Sequence, residues 1–255
     1  MATYKKRGSK SKKDKLAGIE KKSTTAEVFN TLDETASKSE QWVERNSKII
    51  YTGLGIVALL ILGYLAYNNF IKEPKEREAA NELAYPRAYY DQAQMGISAA
   101  DSLYNLALNG ADGKYGLADI ADTYGNTNAG NLAKYMAGIA HYNLSEYDEA
   151  IEYLNDFNTD DEVLGAMAKG TIGDAFAQLN QPEEALEYYL KAAQHEENDF
   201  STPLFLQKAG QTAMQLKDYA KAEELFGKIK NQYPNSAEGQ NIDMYLNRAK
   251  FLAQD

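Results

Sequence analysis

From Ile49 to Ile71 the chain carries no charged residue, and apolar side chains would surround a helix built from it. At about 1.5 Å per residue such a helix reaches about 35 Å, enough to cross a hydrocarbon core of about 30 Å with some tilt. Arg45 and Lys48 stand before the run and Lys72 and Lys75 after it. Trp42 and Tyr51 on one side, and Tyr64, Tyr67 and Phe70 on the other, supply interfacial aromatic rings. The pattern predicts a transmembrane helix over 49–71. A soluble core helix seldom stays apolar on every face for that length. The run is also too long and too far into the chain for a cleavable leader.

Weaker patterns flank the span. Thr24 and Glu27 have the spacing of a capping box, and Val28, Phe29, Leu32 and Ala36 then recur on one face, which predicts an amphipathic juxtamembrane helix over 24–48. Residues 1–23 are Lys-rich and poor in apolar side chains, so a disordered basic tail is expected. The tail acts as a topology determinant alone, or it also contacts anionic lipid headgroups or ribosomal RNA. Within the span, Thr52, Gly55, Leu59, Gly63 and Ala66 share an arc of about 80°. Small residues on one stripe admit close approach of another helix, so this is the candidate transmembrane partner face.

After residue 72 the apolar positions take a helical period and repeat. Gly138, Gly173 and Gly210 recur at intervals of 35 and 37 residues. An alanine falls twelve positions after each (Ala150, Ala185, Ala222) and a leucine six after each (Leu144, Leu179, Leu216). A large residue stands four after each alanine: Leu154, Tyr189 and Phe226. Segments 131–157, 168–193 and 207–234 therefore read as copies of one helix–turn–helix unit, with a longer turn around His195–Pro203. Small residues allow close helix crossing while the large ones fill the facing groove.

Tyr124-x-Asn126-Thr127-x-x-Gly130 echoes Tyr233-x-Asn235-Ser236-x-x-Gly239. That echo predicts an eroded earlier repeat, with 98–108 as its first helix and 114–124 as its second. A helix over 237–253 is expected to cap the last repeat. Another over 73–95 is expected to lead out of the membrane and to break or kink at Pro86. The fold class is thus all-α, one transmembrane helix followed by an α-solenoid over 72–255.

Charge sharpens the division. The whole chain has net charge −10, yet residues 1–48 carry +5 and residues 72–255 carry −15. An acidic main portion argues against nucleic-acid binding there, and no DNA partner is expected. The absence of cysteine excludes disulfides, thiol nucleophiles and Zn–thiolate sites. His141 reads as a packing residue, His195 as a helix-end imidazole, and Asp160, Asp161 and Glu162 as loop and first-turn acids. No residue pattern calls for a catalytic role, a metal or a cofactor, so the chain reads as a binding protein, not an enzyme.

The repeats resemble the tetratricopeptide repeat, a 34-residue antiparallel helix pair, and Pro234 after the third copy fits that pattern. His141, Phe176 and Ala213 depart from it, because the family usually has tyrosine there. The resemblance implies a groove lined by Tyr135, Met136, Ile139, Tyr142 and Asn143 in the first copy. Met167, Thr171, Asp174 and Gln178 follow in the second, and Gln207, Lys208, Gln211 and Met214 in the third. Those residues either bind peptide or serve as inter-repeat core. Family members that clamp a terminal carboxylate use Lys and Asn, whereas Lys208 and Asn143 stand isolated in this sequence.

Trp42, Glu44, Arg45 and Asn46 before a single span, with a repeat domain behind it, resemble the YfgM-like family of ancillary SecYEG translocon subunits. The resemblance implies a single-pass protein of the bacterial inner membrane with a cytoplasmic N-terminus and a periplasmic repeat domain. Implied partners are translocon subunits, a periplasmic chaperone or unfolded secreted chains. The alternative is an envelope scaffold for cell-wall or outer-membrane assembly, unrelated to secretion.

Overall fold

The computed structural model describes residues 24–96 and 99–254. The expected basic tail, and the side chains of Val28, Phe29, Leu32 and Ala36, lie outside the described residues and side chains. The chain divides into two compact units, Met1–Asn69 and Phe70–Asp255. Among the described residues every regular element is helical.

The first unit is built on α1 (Thr24–Tyr67). Among the described residues, one helix is long and apolar enough to cross a membrane. Its large side chains are open, Leu59 being 70% exposed. The Thr52 hydroxyl donates to the Lys48 carbonyl at 2.7 Å, so its polarity is satisfied within the helix. At Gly55 and Gly63 a Cβ would meet nothing within 4 Å.

A π-helical turn, Asn68–Lys72, precedes α2 (Glu73–Gln94). Then come α3 (Ala100–Asn109), α4 (Leu117–Tyr124), α5 (Asn128–Asn143) and α6 (Tyr147–Asp156). They are followed by α7 (Glu162–Gln178), α8 (Pro182–Ala193), α9 (Ser201–Gln215) and α10 (Tyr219–Gln232). A 3₁₀ turn, Gly239–Asn241, leads into α11 (Ile242–Leu252). From α5 onward each helix packs on its neighbours in sequence, the arrangement of an α-solenoid. The three segments read as repeats are the pairs α5–α6, α7–α8 and α9–α10.

The landmark residues have the physical roles their spacing implied. A Cβ on Gly138 would stand 2.5 Å from Leu154 Cγ, and one on Gly173 2.7 Å from the Tyr189 ring. One on Gly210 would collide with the Phe226 ring. Each glycine is therefore the seat of its own large residue. The leucine six positions on is the C-cap of the first helix: Leu144, Leu179 or Leu216. The next residue is left-handed in all three, Ser145 (φ 65°), Asn180 (φ 56°) and Lys217 (φ 63°). Glu146 N–H donates to the His141 carbonyl, Gln181 N–H to Phe176, and Asp218 N–H to Ala213, all at 2.9 Å. These are three copies of one Schellman turn.

The echo between the two tyrosine loops is also structural. The Thr127 hydroxyl donates to the Tyr124 carbonyl at 2.7 Å and accepts from Gly130 N–H at 3.0 Å. The Ser236 hydroxyl does the same with Tyr233 and Gly239, at 3.0 Å each. A Cβ on either glycine would collide with the tyrosine's carbonyl.

Two expectations need correction. The earlier pair is not a repeat of the same kind: α3 packs chiefly on α2, and α4 chiefly on α5. Both helices are short and their link is drawn tight, since a Cβ on Gly116 would collide with the Leu108 carbonyl. The long α2 supplies the face a second helix would have offered. Nor does Pro86 end its helix, which continues to Gln94. Pro86 lies on one buried stripe with Ala79, Leu83 and Ala93. Burial of that stripe offsets the cost of the missing hydrogen bond, about 3 kcal/mol.

Candidate protein-binding face

Stacking the pairs brings one residue from each of three successive first helices to the same place. Tyr142 comes from α5, Asp174 from α7 and Lys208 from α9, and Tyr189 of α8 joins them. The Lys208 ammonium donates to both Asp174 oxygens at 2.7 Å. The Tyr189 hydroxyl donates to Asp174 Oδ1, also at 2.7 Å. The ammonium also lies 5.6 Å from the Tyr189 ring centroid. Burial, and then the bond to the carboxylate, pushes the Tyr189 hydroxyl well above the usual phenol range. Burial and then the nearby Asp174 charge raise Tyr142 as well. Lys208 is therefore not isolated: its charge is already spent on Asp174, 34 residues away. A terminal-carboxylate clamp of the family's kind has no free lysine at this point.

The other expected groove residues divide by burial. Met136 is only 4% exposed and belongs to the core formed by α2–α5, which leaves it out of any lining. Tyr135 packs its ring 5.1 Å from Phe157, and Ile139 joins the small core around Leu154 and Ile172. Met167 lies against the core of α7–α11. Thr171 donates to the Met167 carbonyl at 3.0 Å and Asn143 to the Ile139 carbonyl at 2.7 Å. Gln207 is half-buried; Gln178, Gln211 and Asn143 are exposed. Gln211 and Met214 come together with Tyr219, Tyr245 and Arg248 around a cavity of about 340 Å³ at the C-terminal end.

Tyr189, Tyr245 and Arg248 were not expected here. Tyr189 was legible only as a filler opposite Gly173, and Tyr245 and Arg248 lie on the terminal helix outside the repeats. A larger cleft of about 740 Å³ was also missed; it opens between α3, α4, α5 and α6. Its walls carry Asp122, Glu146, Glu149, Glu152 and Asp156 against Lys134 and His141. His141 stacks on Tyr153 at 5.3 Å and contacts a Glu146 oxygen at 2.7 Å through Nδ1. Burial, followed by Asp122 and Glu152, raises the Tyr153 hydroxyl, which reports the negative field of that wall.

Among the described residues no group of three or more His, Cys, Asp or Glu side chains is placed to hold a metal ion. The tetratricopeptide repeat family model matches residues 206–236, the stretch from Leu206 in α9 through α10 to Ser236. A comparison with curated proteins gives no match. The chain thus carries a tetratricopeptide-type repeat, a protein–protein interaction module, together with one candidate membrane-spanning helix.

Proposed function

We propose that the chain is a single-pass protein of a bacterial inner membrane, with residues 49–71 crossing the bilayer, the N-terminus cytoplasmic and the repeat domain periplasmic. The domain binds polypeptides or a chaperone at the exit of the Sec translocon and assists their hand-over. The observation that carries this reading is the pairing of an exposed apolar helix with an interaction module of net charge −15. The basic 1–22 segment, with nine Lys/Arg against two acids, favours a cytoplasmic N-terminus. The side chains of Tyr142, Gln178, Gln211 and Met214, which are exposed or half-buried, suit adaptable contact with many sequences. The open positions at Gly55 and Gly63 provide the surface by which the span docks to a partner helix.

Affinity purification from mild detergent tests it. Recovery of translocon subunits and a periplasmic chaperone supports the proposal. Recovery of cell-wall or outer-membrane assembly proteins in their place would transfer the domain to envelope organisation.

A further inference from the structure

Lys134, Lys191, Lys208, Lys221, Lys228 and Lys230 of the repeat domain each pair with a carboxylate. Among the described residues no carboxylate lies within ion-pair distance of Lys169 of α7, nor of Lys72, Lys75, Lys114, Lys217 or Lys250, but those five are exposed whereas Lys169 is half-buried. Its ammonium meets His195 Nδ1 at 3.2 Å. An ammonium only donates, so Nδ1 accepts, and the ring proton sits on Nε2, facing the Asp161 carbonyl at 3.3 Å. The imidazole lies hard against the α7 backbone, because a Cβ on Gly165 would collide with it. Lys169 thus has a built and neutral support for one of its three N–H donors. The Asp161 side chain is engaged elsewhere, accepting from Val163 and Leu164 N–H at 3.0 and 2.7 Å. Burial lowers the Lys169 pKa, the mark of a cation short of compensation in an otherwise acidic domain.

This ammonium borders a cavity of about 230 Å³ between α6, α7 and α8. Leu154, Phe157 and Ile172 give it apolar walls, while Asn155, Asn158, Thr159 and His195 give it polar ones, with Lys169 and Lys191 at its border. Lys191 is held by Glu187 at 2.6 Å and lies 4.2 Å from the Tyr188 ring centroid. Lys169 stands five residues before Asp174 on the same helix, about 140° away around its axis, so the cavity is separate from the Tyr142–Asp174–Lys208 cluster. Two free donors beside apolar walls match a carboxylate on a small hydrocarbon group. A fully hydrated phosphate would lose its water against those walls without enough donors to replace it.

We propose that this cavity binds a single carboxylate carried on a short apolar stem, as at the last residue of a peptide, with Lys169 as the group that receives it. The site is independent of the translocon reading. The test uses the full-length chain in detergent micelles with ¹³C-labelled isoleucine δ1 methyls, titrated with N-acetyl-leucine, N-acetyl-leucine amide and inorganic phosphate. Saturable movement of the Ile172 methyl by N-acetyl-leucine alone is expected. Lys169→Met should weaken that binding about tenfold or more, the worth of a charge-assisted pair. Gly165→Ala, which forces His195 off α7, should weaken it too while the Ile120 and Ile229 methyls stay in place. Equal response to the amide, response to phosphate but not N-acetyl-leucine, or unchanged affinity in Lys169→Met would each overturn the proposal.

Discussion

A Cβ placed on Gly173 would stand 2.7 Å from two ring carbons of Tyr189, so the ring occupies the space a side chain would need. Alanine forms helix better than glycine by about 1 kcal/mol, which makes the sign of a substitution informative. Gly173→Ala should destabilise the domain by about 1–2 kcal/mol, since overpacking outweighs propensity. Gly227→Ala in α10, where nothing lies within 4 Å, should stabilise it by about 0.5–1 kcal/mol. Denaturant unfolding of the two variants measures both signs.

The Asp174–Lys208 pair joins α7 to α9 across a whole repeat. Both side chains are partly open, at 26% and 33%, so screening limits the pair's worth. A double-mutant cycle with Asp174→Asn and Lys208→Met should give a coupling energy of about 1 kcal/mol. Asp174→Asn should also lower the Tyr189 hydroxyl pKa, observed by ultraviolet titration, because the nearby negative charge is removed.

Three turns hold a non-glycine residue at the left-handed position after the C-cap. That conformation costs roughly 1–2 kcal/mol for an L-residue, less where the side chain is short and polar. Lys217→Gly should therefore raise stability by about 1 kcal/mol, and Asn180→Gly by less. Thermal unfolding midpoints rank the two.

The repeat pattern was legible because each landmark has a local cause. Gly138, Gly173 and Gly210 each seat a large residue, and the three leucines are C-caps of one turn type. The Thr127 and Ser236 loops were legible for the same reason. Tertiary relations were not: nothing local marks α2 as the partner of α3, or as the helix whose buried stripe carries Pro86 past its usual stopping effect. The site was read least well. Lys208 and Asp174 lie 34 residues apart, so their pairing depends on the rotation between repeats. The support of Lys169 by His195 depends on the close approach at Gly165, a glycine outside the repeat landmarks.

Alkaline pH should unfold the domain. Burial raises the hydroxyls of Tyr90, Tyr104, Tyr135, Tyr142, Tyr153 and Tyr189 above their ordinary value of 10.0. Tyr85, bonded to Tyr89 at 3.3 Å, is pushed up to about 12. A raised phenol pKa contributes stability that is present below pH 10 and lost as pH climbs through the folded value. Circular dichroism should therefore be flat from pH 7 to about pH 10 and fall above it, together with cooperative ionisation of the buried tyrosines.

If the span docks by its small-residue stripe, Gly55→Leu with Gly63→Leu should release the co-purifying partner while the chain remains in the membrane fraction. Gly53, which is not part of the stripe, provides the control: Gly53→Leu should leave the partner bound.

The chain has no cysteine, so single cysteines can report which side of the membrane each part occupies. Gln211→Cys in the exposed part of α9 and Ser9→Cys in the basic tail should be treated with a membrane-impermeant maleimide on intact spheroplasts. Labelling of Gln211→Cys before lysis, and of Ser9→Cys only after it, is the result expected of a periplasmic repeat domain held by one membrane span. Labelling of Ser9→Cys before lysis with Gln211→Cys protected would contradict it.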